Sequence, residues 1–159
     1  MNFKTHLSFG LLAALLTYNF FNLTIWAGIL FFAFVLLGSL LPDFDKPESK
    51  VGRKLGIFSK IFNFIFGHRG VSHSVWFLIS FPLLLYLFVN KMLAWALFIG
   101  YLSHLISDSL TQMGVNWFHP FKLLRTHGMV QTGTSSETLV MVGVLIVVVF
   151  KTLSIFGIF

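Results

Sequence analysis

The sequence predicts an all-α polytopic membrane protein in which residues 1–159 form a single domain. The chain is 57% hydrophobic and 10% charged, whereas a soluble protein has roughly 25% charged residues. Its mean hydropathy is +0.88. Three long stretches, 7–42, 74–103 and 138–159, contain neither an acidic residue nor a histidine. If these stretches cross a bilayer, all the acids and histidines lie at one membrane face.

About five transmembrane helices are expected, because five apolar segments each approach the roughly 20 residues needed to cross the hydrocarbon core. The first segment follows Lys4, as the core of a signal peptide would, but residues 17–24 contain no convincing cleavage site. We therefore keep it as a helix, and its small residues permit close helix packing. The predicted helices cover about residues 5–21, 24–41, 71–89, 92–112 and 137–158.

Residues 51–66 predict an amphipathic helix that lies in the membrane interface and does not span it. Arg53 and Lys60 are seven residues apart and share one helical face. The opposite face is apolar, so we expect this helix to lie beside the polar cluster. Its apolar residues are Leu55, Phe58, Phe62 and Ile65.

The positive charge lies mainly in two loops, 42–70 and 113–136, and in the short loops of the other side only Lys91 is basic. The positive-inside rule therefore predicts an inner (cell) membrane protein whose N-terminus and polar cluster face the cytoplasm. Orientation and contact with anionic lipids explain the formal charge of +6, so no nucleic-acid partner is expected. The chain has no cysteine, so any metal ligands must be nitrogen or oxygen atoms.

The first candidate motif is LPDFD at 41–45. Pro42 ends the second predicted helix and leaves Asp43 and Asp45 just beyond it. Two carboxylates separated by one residue can converge on one cation or bridge two. The alternative is a solvated aspartate turn, which is common after helices.

The second motif is HRGVSHS at 68–74. Gly70 permits a tight turn that places His68 before the third helix and His73 in its first turn. Imidazole is the commonest metal ligand, and Arg69 could hold a phosphate or a developing oxyanion. The alternative is a pair of interfacial histidines near lipid head groups.

The third motif is His104 with Asp108, which share one face of an apolar helix. An isolated carboxylate buried there would cost several kcal/mol, and this helix offers no cation. Metal coordination compensates the burial of both residues. The alternative is a simple hydrogen-bonded pair.

His6 and Glu137 complete the candidate site. His6 lies on the small-residue face of the first helix, and Glu137 has capping-box spacing from Thr134, so a helix-start role is equally consistent with it. Such a mixed ligand set suits zinc, manganese or iron, with two ions as an option. The eight candidate metal ligands are His6, Asp43, Asp45, His68, His73, His104, Asp108 and Glu137.

The sequence resembles the bacterial and archaeal membrane-bound metal-dependent hydrolases of the YdjM type, whose founding members are described as LexA-regulated. The resemblance implies a divalent-metal hydrolase in the cytoplasmic membrane whose site uses the eight residues above. Lys46 stands where the family often has a further histidine. Besides His6, the matching stretches are LPDFDKPESKVGRK at 41–54, GHRGVSHS at 67–74, GYLSHLISDSLTQMGV at 100–115 and TGTSSE at 132–137.

These observations predict hydrolysis by metal-activated water, with a phosphoester of a membrane lipid at the cytoplasmic leaflet as the expected substrate. Asp43 or Asp108 would accept the proton, and Arg69 would stabilise negative charge on the substrate. An acyl ester is a second option for the bond. An intramembrane metalloprotease is disfavoured because no HExxH motif is present. A metal transporter or sensor is disfavoured because the far halves of the helices have only scattered polar residues. The oligomeric state does not follow from the sequence.

Overall fold

A computed structural model of the chain describes residues 1–155 and 157, and this part is mostly helical. It contains seven α-helices and one short antiparallel hairpin, with 3₁₀ turns at Tyr18–Phe20, Leu41–Asp45 and Val71–His73. The elements are α1 (Phe3–Thr17), α2 (Ile25–Gly38), α3 (Lys50–Leu55), α4 (Ile57–Phe66), α5 (Val75–Phe88), α6 (Lys91–Ser109), β1 (Val115–Asn116), β2 (Arg125–Thr126) and α7 (Ser135–Ile155).

Each of the five apolar segments forms a helix: α1, α2, α5, α6 and α7. Within the described residues, two segments are long and apolar enough to cross a membrane, Ile25–Asp45 and Ser135–Ile155. α5 is apolar but has only 14 residues. The predicted end of the last segment, at residue 158, lies outside the described residues.

α6 is the central helix, because α1, α2 and α5 all pack against it. α7 packs on the outer side of α1. Apolar side chains fill the contacts between these helices, and Phe31 and Tyr101 are fully buried there. The half of α6 nearest its C-terminus instead buries polar residues, including His104 and Asp108. The buried polar and titratable side chains are therefore concentrated at one end of the bundle.

Glycines let α2 and α6 approach until their backbones touch. A Cβ on Gly100 would lie 1.9 Å from the carbonyl oxygen of Val35, and a Cβ on Gly38 would lie 2.5 Å from that of Leu97. Neither oxygen can rotate away, because both belong to helix backbone. This contact brings Ser39, at the end of α2, next to α6.

We expect Gly100→Ala to destabilise the protein by about 1–3 kcal/mol, the usual cost of overpacking. The better helix propensity of alanine offsets at most about 1 kcal/mol of this. Thermal unfolding in detergent measures the effect, and Gly143→Ala on α7 is the control because a Cβ there meets nothing within 4 Å. Equal melting temperatures for the two variants would contradict the close contact of α2 with α6.

The predicted amphipathic helix at 51–66 is divided in the structure. Gly56 has φ +56°, a backbone conformation that favours glycine, and it separates the end of α3 from the start of α4. Phe62 turns inward against Phe44 and does not join the exposed apolar face. That face of α4 comprises Ile57, Phe58, Ile61, Phe64 and Ile65, all more than half exposed.

The loop between α6 and α7 covers the polar end of the bundle. Its hairpin pairs Val115 with Thr126 and Asn116 with Arg125. The backbone N–H of Val75, at the start of α5, donates to the carbonyl of Trp117 across 2.8 Å. This bond attaches the loop to the helices that surround the candidate site.

Candidate metal centre

The motifs found in the sequence meet at the polar end of α6. Among the eight candidate ligands, His68 is the most accessible at 23% exposed, and Asp43 follows at 8%. The others come from α1, α6, α7 and the 3₁₀ turns at Leu41–Asp45 and Val71–His73, and they are buried. They are His6, Asp45, His73, His104, Asp108 and Glu137.

Three imidazole rings surround the carboxylate of Asp108. The Nε2 atom of His73 lies 3.5 Å from Asp108 Oδ2, that of His104 lies 3.6 Å from the same oxygen, and that of His6 lies 3.6 Å from Oδ1. The rings of His6 and His104 stack with their centroids 3.8 Å apart. The Nε2 atoms of His73 and His104 are 3.2 Å apart. The three Nε2 atoms therefore face a common space at the Asp108 carboxylate, each within 3.6 Å of one of its oxygens.

The hydrogen bonds at Nδ1 decide where the protons of His104 and His6 lie. His104 Nδ1 is 2.7 Å from the carbonyl oxygen of Ser39, which can only accept, so this nitrogen donates. The hydroxyl of Ser107 donates to the His104 carbonyl and therefore accepts from His6 Nδ1 at 2.8 Å. In each neutral ring, Nε2 then presents a lone pair to the common space.

His73 is held in the same way, although it lies in the 3₁₀ turn before α5 and not in the first turn of that helix as predicted. Its Nδ1 is 3.2 Å from Asp45 Oδ2 and 3.0 Å from the Ser72 hydroxyl. That hydroxyl donates to Asp45, so it accepts from His73. Tyr101 on α6 fixes the turn by donating to the Ser72 carbonyl at 2.5 Å.

The resulting site fits a divalent metal ion. Lone pairs of neighbouring imidazoles repel unless a cation or proton lies between them. His6 Nε2 and Asp108 Oδ2 are buried without a hydrogen-bond partner in the described part of the chain, a state that bound metal would relieve. Two triads have ligand atoms within 4.8 Å of one another: His6, Asp43 and His104, and His73, His104 and Asp108.

Asp45, a predicted ligand, lies behind His73. Its Oδ1 accepts from His68 Nδ1 at 2.7 Å, and its Oδ2 accepts from the backbone N–H of Arg69 at 3.0 Å and from the Ser72 hydroxyl, with His73 Nδ1 3.2 Å away. These donors occupy both oxygens. Asp45 thus orients His73 and His68, the role that carboxylates play around metal-bound imidazoles.

Arg69 supplies a cation to Asp108 that the sequence alone did not reveal. Its Nη2 lies 2.6 Å from Asp108 Oδ1, which also contacts the amino group of Met1. Its Nη1 donates to the Thr111 hydroxyl at 2.9 Å and to the Gly114 carbonyl at 3.1 Å. No motif indicated this pairing, because 39 positions along the chain separate Arg69 from Asp108. The same holds for Ser39 and Ser107.

Glu137 joins the start of α7 to the start of α1. Its carboxylate accepts from the Asn2 backbone N–H at 2.5 Å and from the Thr5 hydroxyl at 2.8 Å. It also accepts from the backbone N–H of Gly133 at 2.7 Å. The capping-box spacing predicts this contact at the backbone N–H of Thr134, one residue later. Glu137 belongs to neither ligand triad.

Comparisons with known proteins point to one family. The family described as "YdjM inner membrane protein" matches residues 1–158. The "Uncharacterized protein YvsG" of Bacillus subtilis (strain 168) is 34% identical over 145 residues, which cover 90% of this chain and 89% of that protein. The "Inner membrane protein YdjM" of Escherichia coli (strain K12) is 38% identical over 93 residues, covering 54% of this chain and 46% of that protein. No solved structure matches.

Proposed function

Because this chain belongs to the YdjM family of inner membrane proteins, we propose that it is a membrane-embedded hydrolase dependent on a divalent metal ion. One observation supports this above all others: three buried imidazoles, each with a hydrogen-bond partner at Nδ1, direct their Nε2 atoms at the carboxylate of Asp108. Such an arrangement is costly to bury and suits metal binding.

The proposed ligands are His6, His73, His104 and Asp108, with Asp43 completing the set on the more open side. Both triads contain His104, and its one free nitrogen can bind only one ion. A single ion bound by His104 is therefore the simplest arrangement. A second ion would require a shared carboxylate. Nitrogen and oxygen ligands suit zinc, manganese or iron.

The catalytic roles follow from where each side chain lies. When bound, the metal would lower the pKa of a coordinated water toward about 7 and polarise the bond under attack. Asp43 lines an opening together with Lys46 and Lys50, so it is placed to take a proton from attacking water. Arg69 holds Asp108 and would stabilise negative charge on the substrate. Asp45 keeps the His73 lone pair directed at the centre.

The proposed substrate is a phosphoester of a membrane lipid at the cytoplasmic leaflet, and α1, α2, α5, α6 and α7 are proposed to be the transmembrane helices. In this arrangement the basic loops 42–70 and 113–136 face the cytoplasm. The exposed apolar face of α4 would lie in the lipid interface beside the site.

The proposed topology can be tested by cysteine labelling, since the chain has no native cysteine. Glu48→Cys, at an exposed loop position, should resist a membrane-impermeant thiol reagent in spheroplasts and react after lysis. Lys91→Cys, exposed at the start of α6, should react in intact spheroplasts. The reverse labelling pattern would overturn the orientation.

The proposed reaction can be tested on purified protein loaded with zinc, manganese or iron and mixed with inner-membrane lipids. We expect release of phosphate or a phosphorylated head group. Arg69→Lys should retain the metal and lose about 100-fold in turnover, because lysine cannot reproduce the planar guanidinium contacts. Release of fatty acid alone would indicate an acyl hydrolase. Absence of any product with metal bound would favour a transporter or sensor.

A further inference from the structure

A second pocket is lined by Arg69, the residue that pairs with Asp108 of the proposed metal centre. Six of the residues that line it are His68, Arg69, Gly114, Asn116, Lys122 and Arg125. They come from the turn before α5 and from the hairpin that covers the site. Lys122 and Arg125 are exposed on this hairpin and have no part in the proposed metal centre.

This pocket is positively charged, although one of its cations, Arg69, is paired with Asp108. Three of its lining residues are cationic, and no acidic residue is among the described residues that line it. The Arg69 side chain is only 8% exposed. Its Nε is buried and has no hydrogen-bond partner among the described residues. A buried N–H without a partner is costly, and Arg69, which lines the pocket, keeps this donor unused by its contacts with Asp108, Thr111 and Gly114.

Two short connections link the pocket to the proposed metal centre. Arg69 contacts Asp108 directly at 2.6 Å. His68 is 2.7 Å from Asp45, which in turn holds His73. An anion bound in this pocket would therefore be one side chain from Asp108, through Arg69, and two from His73, through His68 and Asp45.

Exposed apolar side chains accompany the basic ones. Met113 lines the pocket and is 58% exposed, while Phe121 and Leu123, on either side of Lys122 in the sequence, are 62% and 78% exposed. Exposing such an apolar surface to water is unfavourable, whereas the interfacial layer of a membrane accommodates apolar and basic side chains together. A ligand with a phosphate and acyl chains matches both features.

We infer that this pocket binds the phosphate group of a lipid, with Arg69, Lys122 and Arg125 as its cationic partners and the hairpin tip in the membrane interface. This inference rests on the proposed function, because it assigns the substrate phosphate of the same site. Arginine and lysine together supply both planar and point-charge contacts to a phosphate.

The experiment uses the full chain in detergent and measures binding of short-chain phosphatidic acid, short-chain phosphatidylcholine and inorganic phosphate by calorimetry. The test variant is the double substitution Lys122→Gln with Arg125→Gln. The control is Lys54→Gln with Lys60→Gln, which removes the same charge from exposed positions outside the pocket. Metal content is measured for each protein.

We expect phosphatidic acid to bind at least tenfold more tightly than the other two probes. In the test variant its dissociation constant should rise at least tenfold at unchanged metal content, and the control should bind as the wild type does. Equal weakening in both double variants would overturn the pocket, since surface charge alone would then explain binding. Inorganic phosphate binding as tightly as phosphatidic acid would overturn the lipid assignment.

Failure of this inference can be distinguished from failure of the proposed function. Lipid hydrolysis that persists in the test variant with unchanged kcat and KM would count against the pocket alone. Specific binding of phosphatidic acid by a protein that hydrolyses no lipid would count against the proposed reaction alone.

Discussion

Replacing His104 by alanine is expected to remove nearly all bound metal. His104 is the residue common to both ligand triads, and its Nε2 lies 3.2 Å from that of His73. Its loss therefore breaks every three-residue combination that the described ligand atoms offer within 4.8 Å. Elemental analysis of detergent-purified protein should show at least one transition metal per chain in the wild type and almost none in the variant.

The matched control is His127→Ala, because His127 is an exposed histidine outside both triads. It should retain the metal content of the wild type. Asp108→Ala should also lose metal, since it removes the triad of His73, His104 and Asp108 and leaves only that of His6, Asp43 and His104. Full metal retention in both His104→Ala and Asp108→Ala would refute the centre.

The Asp45→Ala substitution is expected to lower stability by about 3–5 kcal/mol, as for one member removed from a buried charged pair. Asp45 accepts hydrogen bonds from His68, the Arg69 backbone and Ser72 and lies 3.2 Å from His73 Nδ1, so its removal leaves the first three donors without this acceptor. Metal affinity should fall about 10–100-fold, because Asp45 orients a ligand and does not occupy a ligand position.

Thermal unfolding in detergent and a competition assay with a metal chelator measure the two effects. Glu48→Ala, an exposed acid in the same loop, should change neither quantity. A variant at Asp45 that keeps wild-type stability yet binds no metal at all would show that Asp45 is itself a ligand. The two assays together therefore separate the predicted ligand role from the orienting role.

The sequence was sufficient to place the five apolar helices, because hydropathy depends on composition over about 20 residues. Their boundaries follow from local signals: Thr24 and Asn90 cap α2 and α6 by accepting backbone hydrogen bonds. The division of the amphipathic segment was missed. Glycine also occurs within helices, so Gly56 alone does not predict a break. The packing of Phe62 against Phe44, which accompanies the break, is a tertiary contact.

The candidate residues of the site were also visible in the sequence, because histidine and aspartate stand out in apolar surroundings. His6, His73, His104 and Asp108 converge as the serpentine path of the helices predicts. Their division of roles was not predictable. Asp43 and Asp45 are two residues apart and chemically identical, yet only Asp43 belongs to a ligand triad.

The sequence by itself determined the membrane class, the order of the helices and the set of polar residues gathered at one end. These depend on residue type and on spacing along one helix, which a linear pattern contains. The tertiary structure alone decided which nitrogen of each histidine faces the centre, since Ser39, Ser72 and Ser107 fix the tautomers. It also decided that Arg69 neutralises Asp108. Such contacts join residues far apart in the chain, and hydrogen-bond direction depends on angles and distances of a few ångströms that spacing does not specify.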